Sequence, residues 1–369
     1  MSFYDIYSQN KNFDLEKSFK LASSAAIQDI LLQDNLNLTQ FVSLLSGEAQ
    51  NNLESMAQKA QAVTRRHFGN VVQLYTPMYL SNYCDNSCLY CGFNLNNDIK
   101  RRTLTLEEVE KEAQLISSSG LKHILILTGE SRAKSPVSYI QDCVRLLKKY
   151  FTSISLEVYS LTEDEYAQLV DQGVDGLTIY QEVYDEQLYA KMHVSGPKKD
   201  YRFRLDAPER GAQAKLRSIS IGTLLGLGDW RREIFFLGLH AKYLQDNFPD
   251  VEIGISVPRI QPQVSGFKPL CQVSDENIVQ IILALRLFLP RLSITISTRE
   301  NPEFRENLLS LGVTRMSAGS NTSVGGRTFC RKDEQPSQFE IQDQRNVTQI
   351  KAAIESKGYQ PVSKDWLNL

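Results

Sequence analysis

No run of apolar residues in the sequence approaches the roughly 20 residues needed to cross a membrane. The first residues, MSFYDIYSQNKNFDLEK, are too polar and charged for a signal peptide. The chain also lacks a strong excess of charge, with a formal net charge of −2. Charge therefore indicates neither a nucleic-acid partner nor a membrane partner, and these absences favour a cytoplasmic protein.

Cysteine is scarce and unevenly distributed. Of the six cysteines in 369 residues, three lie close together in SNYCDNSCLYCGF, and the others are scattered at Cys143, Cys271 and Cys330. This is not the pattern of a disulfide framework, and it is typical of a reducing compartment. The length suffices for one large α/β barrel or for two ordinary domains.

The clustered cysteines, Cys84, Cys88 and Cys91, have the spacing C-x3-C-x2-C. An iron–sulfur cube normally takes four cysteines, so three thiolates would leave one iron open to a substrate or cofactor. Tyr90 directly precedes the third cysteine, where its ring could shield a cluster or meet a planar ligand. The alternatives are a zinc site or a chance grouping. Structural zinc sites usually have four protein ligands, and neither a histidine nor a fourth cysteine lies nearby.

The order of predicted elements indicates three regions. Residues 1–70 have helical periodicity and are expected to form an N-terminal extension. Residues 71–318 alternate between short apolar strands and helices, which predicts a parallel sheet. Residues 319–369 form a tail, with a helix over 343–358, that is expected to close the barrel. The presence of eight predicted strands favours a (β/α)8 TIM-type barrel, and an open doubly wound sheet is the alternative. The predicted strands are 71–80, 123–128, 153–160, 174–180, 218–225, 251–258, 291–297 and 312–318.

In such a barrel the functional groups lie after the carboxyl ends of the strands. Arg299 follows the seventh strand, and arginine is suited to bidentate recognition of a carboxylate, such as that of an amino acid substrate. The alternative is a rim ion pair with Glu300 or Glu303. Ser317 and Ser320 follow the eighth strand and could add hydrogen bonds, whereas Arg315 is a competing carboxylate clamp.

Glu157 ends the third strand, where a carboxylate could accept hydrogen bonds from ribose hydroxyls. A salt bridge at the barrel rim is the equally weighted alternative. Arg204 lies in RFRLD and could pair with a cofactor carboxylate, although an ordinary surface arginine is the favoured interpretation.

The cysteine spacing resembles that of the radical S-adenosylmethionine (SAM) superfamily. This resemblance implies a [4Fe-4S] cluster held by Cys84, Cys88 and Cys91, with SAM chelated to the open iron and cleaved to a 5′-deoxyadenosyl radical. It also implies that Thr128-Gly129-Glu130 stands where the superfamily has a Gly-Gly-Glu-like motif for the methionine ammonium of SAM. Outside that context, these three residues would form an ordinary exposed turn.

Longer stretches resemble the ThiH family, the tyrosine lyases of thiamine biosynthesis, which are also called 2-iminoacetate synthases. They are CDNSCLYCGF, YQEVYDEQLYAKMHVSGPKKDYRFRLDAPER, IGTLLGLGDWRRE, STRE, MSAGS and GYQPVSKDW. The resemblance implies cleavage of the Cα–Cβ bond of L-tyrosine to 2-iminoacetate and p-cresol. The implied partners are thiazole synthase and a flavodoxin or ferredoxin type reductant.

Three other functions remain open. The [FeFe]-hydrogenase maturase that makes CO and cyanide from tyrosine is similar, but it has an additional C-terminal cluster with its own cysteines. Here no C-x2-C follows the barrel's midpoint, where only Cys271 and Cys330 lie. A tryptophan lyase would differ mainly in the volume of its pocket. A non-catalytic iron–sulfur scaffold would bind a cluster without cleaving SAM.

Overall fold

The structure is a computed structural model that describes residues 2–328 and 336–364. Cys330 and the end of the GYQPVSKDW motif lie outside the described residues. Within these ranges, no helix has both the length and the apolarity that a membrane crossing requires.

Eight parallel strands form a closed barrel. Each strand pairs with the next along the chain, and β8 pairs with β1, which also pairs with β2. The predicted (β/α)8 barrel is therefore confirmed, and the open sheet is excluded. The strands are β1 (Val71–Ser81), β2 (His123–Thr128), β3 (Ser153–Glu157), β4 (Gly176–Glu182), β5 (Ser218–Thr223), β6 (Glu252–Ser256), β7 (Ser293–Ile296) and β8 (Arg315–Ser317).

Local sequence signals set where the barrel helices begin. Thr105 and Glu108 form a reciprocal capping box at the start of the first of them, and Thr162 and Glu165 do the same two helices later. The described helices of the barrel are α7 (Leu106–Ser118), α8 (Val137–Leu147), α9 (Glu163–Gln172), α10 (Glu186–Met192), α11 (Tyr201–Leu205), α12 (Ala207–Gln213), α13 (Trp230–Asn247), α14 (Asp275–Phe288) and α15 (Pro302–Asn307).

The N-terminal extension packs on the outside of the barrel. Phe3 stacks on His240 of α13, and Phe41 stacks on Phe288 of α14. The amide of Gln280, also on α14, donates to two carbonyls of the extension. The extension thus covers α13 and α14, and its first helix also contacts α11 through Tyr7 and Tyr201. Its helices are α1 (Phe3–Asn10), α2 (Leu15–Leu21), α3 (Ser24–Leu31), α4 (Leu38–Leu44), α5 (Gly47–Gln50) and α6 (Leu53–Phe68).

Two segments differ from the sequence-based expectation. The connection 181–207, for which the polar sequence indicated no helix, contains α10 and α11. The tail helix is shorter than expected, α16 (Val347–Ser356), because Asn346 caps it. A short strand, β9 (Gln360–Val362), then pairs in parallel with the start of β1. Three residues are too few to show the alternation by which a strand is recognised in a sequence.

A buried ion pair fastens the tail to the barrel mouth. Arg305 of α15 contacts Asp343 of the tail, and both side chains are completely buried. Arg305 also donates to the carbonyl of Ser317 at the end of β8, and the backbone amide of Asp343 donates to the carbonyl of Thr298 after β7. Arg345 adds a second ion pair to Asp343, 2.7 Å long. The tail is therefore held where strands seven and eight end.

We expect Asp343→Asn to destabilise the fold by about 3 kcal/mol, because removing one partner of a buried pair leaves the charge of Arg305 uncompensated. Urea unfolding followed by circular dichroism measures this. The matched control is Asp246→Asn, which breaks the exposed Lys242–Asp246 pair on α13 and should cost less than about 1 kcal/mol. Equal losses for the two variants would contradict the anchoring role of Asp343.

Candidate functional site

The cysteine loop follows β1 and is held by backbone contacts of a single arginine. The Arg101 guanidinium donates to the carbonyls of Asn82, Phe93, Asn94 and Asn97. One side chain thus joins both ends of the loop, and the backbone amide of Leu89 adds a hydrogen bond to the carbonyl of Met192 at the end of α10.

Asparagine amides complete this support. Asn94 donates to the carbonyl of Cys88, and Asn97 donates to the carbonyls of Cys91 and Gly92. Such side-chain amides bind backbone carbonyls that a helix or a sheet would otherwise pair with backbone amides. The backbone around Cys88 and Cys91 is consequently fixed, although it is irregular.

The three thiols line one cavity at the barrel mouth. We call this part the cysteine lobe; Cys88 is buried, and Cys84 and Cys91 are partly buried. Burial raises the pKa of the Cys88 and Cys91 thiols. Among the described residues, no group of three or more His, Cys, Asp or Glu side chains is arranged to hold a single metal ion.

The end of β2 approaches this loop closely. A Cβ atom at Gly129 would lie 2.2 Å from the carbonyl oxygen of Tyr83, so only glycine fits there. Asn86 of the loop donates to the Glu130 carboxylate at 2.6 Å, and the hydroxyl of Thr128 is buried without a partner in the described part of the chain. Thr128, Gly129 and Glu130 all line the cysteine lobe. The structure therefore brings these residues together with the cysteines, and their role towards SAM stays a prediction.

Tyr90 is oriented by a buried histidine. His193 directs Nδ1 at the carbonyl of Tyr189, 2.8 Å away, so its Nε2 accepts the hydrogen bond from the Tyr90 hydroxyl at 2.7 Å. Burial lowers the pKa of His193 to about 2, which keeps the imidazole neutral. Tyr90 thus has a fixed ring orientation in the lobe, and His193 is the residue that orients it.

Two charged residues of the lobe were underrated by sequence reasoning. Glu182 has a left-handed backbone, with φ 71°, at a register shift that ends β4. Its carboxylate pairs with Lys198 at 2.7 Å, and both side chains line the lobe. A left-handed conformation at a non-glycine residue is the kind of strain that collects at functional sites. Neither residue is among those that the sequence assigned to the site.

Arg204 is also placed in the cysteine lobe. Its side chain is buried, donates to the carbonyl of Tyr180 at 2.9 Å and lines the cavity. The favoured interpretation of Arg204 as an ordinary surface residue is therefore wrong. The reason is that α11 folds the connection 181–207 back over the mouth, which the polar composition did not indicate.

Glu157 lies at the centre of the cavity, between the cysteines and Arg299. Burial raises the pKa of its carboxyl group to about 7, and the charge of Arg299 opposes that rise. Within the described ranges, Glu157 makes no salt bridge of the kind considered in the sequence analysis. It therefore has capacity for a ligand, and its proposed contact with ribose stays a prediction.

Arg299 lies in an adjoining lobe of the same cavity, which we call the arginine lobe. Its guanidinium stacks on Phe339 of the tail, 3.3 Å from the ring centroid. Glu300, the expected rim partner, pairs with Arg259 instead. Arg299 thus makes no ion pair among the described residues. The walls of this lobe are largely aromatic and aliphatic: Tyr75, Pro77, Tyr79, Leu125, Leu127 and Tyr180.

The hydroxyls of the two serines near Arg299 differ in whether they already have a hydrogen-bond partner. The Ser317 hydroxyl accepts a hydrogen bond from the backbone amide of Thr298 at 3.0 Å. The Ser320 hydroxyl is buried, lines the arginine lobe and has no partner in the part of the chain that the structure describes. Both hydroxyls line the arginine lobe and both keep a proton to donate to a carboxylate, so their contacts with a substrate stay a prediction.

Three further polar residues of the barrel do not line this cavity: Arg315, Arg259 and Gln181. Arg315 contacts Gln73 and Glu252 near the floor of the barrel, so it does not compete with Arg299. Arg259 is engaged by Glu300 and Asp275. Side chains alternate in direction along a strand, so that of Gln181 points away from the cavity that its neighbours Tyr180 and Glu182 line.

Comparisons with known proteins agree with this arrangement. A model described as the Radical SAM superfamily matches residues 78–236, and one described as the Biotin and Thiamin Synthesis associated domain matches residues 256–360. The 2-iminoacetate synthase of Escherichia coli (strain K12) is 37% identical over 99% of this chain and 97% of that protein. That of Salmonella typhimurium is 36% identical over 99% and 97%.

The chain belongs to the 2-iminoacetate synthase family. It is therefore a radical SAM enzyme, and this superfamily uses a [4Fe-4S] cluster and SAM. The crystal structure of HydG, a maturase of the [FeFe]-hydrogenase, is similar with a TM-score of 0.88 and 31% identity over 95% of this chain and 78% of that one. The structure of methylornithine synthase (PylB) has a TM-score of 0.73 at 23% identity over 91% and 97%, which shows the fold alone.

The residues of the cysteine lobe fit both cofactors. Three thiols face one space, and thiolates are the ligands that iron–sulfur clusters take. Beside them lie the partner-free Thr128 hydroxyl, the Glu130 carboxylate and the buried Arg204 guanidinium, which suit the ammonium and carboxylate of an amino acid moiety. Cys84, Cys88 and Cys91 would hold the cluster.

We expect Cys88→Ser to lose SAM cleavage and most of its iron, because a cluster corner loses its thiolate. Iron content and 5′-deoxyadenosine are measured after anaerobic reconstitution. Cys271→Ser is the matched control, since Cys271 does not line the cysteine lobe. Retained 5′-deoxyadenosine formation by Cys88→Ser would overturn the assignment of the three ligands.

Proposed function

We propose that the chain cleaves the Cα–Cβ bond of L-tyrosine to give 2-iminoacetate (dehydroglycine) and p-cresol, which provides the imine for the thiazole of thiamine. SAM is converted to 5′-deoxyadenosine and methionine in the same reaction. Full-length similarity to two 2-iminoacetate synthases supports the substrate and the products.

The structural observation that carries this proposal is the arginine lobe. It combines a guanidinium that has no acidic partner among the described residues with a buried, unpartnered Ser320 hydroxyl. Both suit the carboxylate of an amino acid. The apolar walls of Leu125, Leu127 and Tyr180 suit an aromatic side chain.

The tail keeps the reaction space enclosed. The backbone amide of Gly92 donates to the carbonyl of Gln338, that of Glu340 to Pro262, and that of Gln342 to Thr298. Residues 338–342 therefore cross the mouth from the cysteine loop to the end of β7. Such a cover excludes water, which protects an imine product from hydrolysis.

The cofactors supply the chemistry that amino acid side chains cannot. Held by Cys84, Cys88 and Cys91 and by the rest of the cysteine lobe, the cluster and SAM would supply a 5′-deoxyadenosyl radical for abstraction of a hydrogen atom from tyrosine. The chain's own residues position the two reactants: Arg299 and Ser320 hold tyrosine in one lobe, and the other lobe holds SAM. Glu157 and Tyr180 line both lobes, so the two sites adjoin.

The partners and the location belong to the same proposal. A thiazole synthase would receive the imine, and a flavodoxin or ferredoxin type protein would supply electrons. The five cysteines that the structure describes are all free thiols, which supports a reducing, cytoplasmic compartment.

With tyrosine, SAM and a reductant, we expect p-cresol together with glyoxylate from hydrolysed imine. Chromatography of the products measures both. Added CO or cyanide would indicate the hydrogenase-maturase reaction instead, and turnover of tryptophan but not of tyrosine would indicate a tryptophan lyase. A bound cluster without any 5′-deoxyadenosine would favour a scaffold.

We expect Arg299→Ala to raise the KM for tyrosine strongly, because loss of a buried charged partner costs about 2–5 kcal/mol. Steady-state p-cresol formation gives KM and kcat. Arg145→Ala is the control, since Arg145 forms only an exposed pair with Asp142 on α8. An unchanged KM in Arg299→Ala would remove this residue from the substrate site.

A further inference from the structure

A small polar chamber lies inside the barrel and adjoins the arginine lobe. The chamber and the lobe share three wall residues, Tyr75, Leu125 and Tyr180. The interior of such a barrel is commonly filled by bulky branched side chains, but the remaining walls of this chamber are polar: His123, Ser155, Thr178, Ser220, Thr295 and Arg315. The two spaces together therefore suit a ligand that is apolar along its length and polar at its far end.

The alternation of side chains along the strands sets the depth of the chamber. Glu157 lines the arginine lobe, and Ser155, two residues earlier on β3, lines the chamber; Ser317 and Arg315 have the same relation on β8. Two residues of a parallel strand span about 6.6 Å, which is close to the distance between Cα and the hydroxyl oxygen of tyrosine. A tyrosine with its carboxylate on Arg299 would therefore place its hydroxyl group in the chamber.

Three hydroxyl groups of the chamber have unused hydrogen-bonding capacity. Within the described residues, the hydroxyls of Thr178, Ser220 and Thr295 make no hydrogen bond, whereas His123 and Ser155 bind each other at 2.9 Å. Ser220 and Thr295 are only 8% and 6% exposed. Buried polar groups normally have a partner, so these hydroxyls suit a polar atom of a ligand.

The chamber is small and closed at its lower end. Arg315 and Arg217 both pair with Glu252 at the start of β6, at 3.4 and 3.1 Å, and these pairs lie towards the amino-terminal ends of the strands. The volume of the chamber is about 20 Å³, which is enough for the oxygen atom of one hydroxyl group but not for a ring. The chamber therefore fits the end of a tyrosine side chain and excludes the second ring of tryptophan.

We propose that this chamber binds the phenol hydroxyl of the substrate and thereby selects tyrosine over phenylalanine and tryptophan. The inference rests on the proposed function, since it places an amino acid in the arginine lobe with its carboxylate on Arg299. A phenol hydroxyl both donates and accepts, so it can bind the hydroxyls of Thr178, Ser220 and Thr295. Phenylalanine would leave these groups unpaired, and a site built to bind a hydroxyl rejects a substrate that lacks it.

The test measures binding without turnover. Calorimetry on the reconstituted enzyme, with its cluster oxidised and SAM present, gives the Kd for L-tyrosine, L-phenylalanine and O-methyl-L-tyrosine. The variant Thr178→Val/Ser220→Ala removes two hydroxyls of the chamber, and it should fold because neither hydroxyl has a partner in the described part of the chain. Ser218→Ala is the matched control, since Ser218 lies two residues before Ser220 on β5 and does not line the chamber.

We expect the wild type to bind tyrosine at least about tenfold more tightly than phenylalanine, and also more tightly than O-methyltyrosine, whose methyl group does not fit the chamber. The double variant should lose about tenfold in affinity for tyrosine and keep its Kd for phenylalanine, whereas the control should change neither. Equal affinity of the wild type for tyrosine and phenylalanine would overturn the proposal, as would an equal loss for both amino acids in the double variant.

Product analysis with a reductant separates this inference from the lyase reaction. Formation of p-cresol, together with equal Kd values for tyrosine and phenylalanine, would refute the role of the chamber and support the reaction. Binding of tyrosine that depends on its hydroxyl, but without p-cresol, would refute the reaction and support the chamber. No binding of tyrosine would refute both.

Discussion

The requirement that three thiols on one short loop face the same space constrains the whole site. The loop has no regular structure of its own. It depends on the Arg101 guanidinium, which donates to four backbone carbonyls, and on the asparagine amides that bind the carbonyls of Cys88 and Cys91. A guanidinium suits this task because its donors are planar and always charged. The barrel then places the ends of β2, β3 and β4 around the loop, since all parallel strands end at the same face.

The tail joins the two lobes of the cavity. The amide of Gln338 lies 3.8 Å from the Cys91 sulfur and accepts a hydrogen bond from the Tyr79 hydroxyl, while the next residue, Phe339, stacks on Arg299. Two consecutive residues therefore touch a thiol that is expected to hold the cluster and the arginine that is expected to hold the substrate. The buried pair of Arg305 and Asp343 anchors the segment just beyond them. The geometry of both lobes thus depends on the position of one tail segment, residues 338–343.

Much of this architecture could be predicted from the sequence, because it rests on local signals. The apolar strands and the capping boxes at Thr105 and Thr162 indicated the barrel, and the rule of carboxyl-terminal strand ends indicated Glu130, Glu157 and Arg299. Contacts between distant segments gave no such signal. Nothing around Phe339 or Lys198 in the sequence indicates that each meets the cavity, and the position of Arg204 depends on a helix in a polar stretch. Only the fold determines that Ser317 accepts a backbone hydrogen bond while the Ser320 hydroxyl has no partner among the described residues.

The central claim is that the three cysteines leave one iron free for the amino acid moiety of SAM. The most direct measurement is electron–nuclear double resonance on the reduced enzyme with SAM labelled with 15N at its amino group. We expect a nitrogen hyperfine coupling to the cluster, in a sample that contains four irons per chain. A four-iron cluster without that coupling, with its remaining corner held by a protein side chain, would contradict the account.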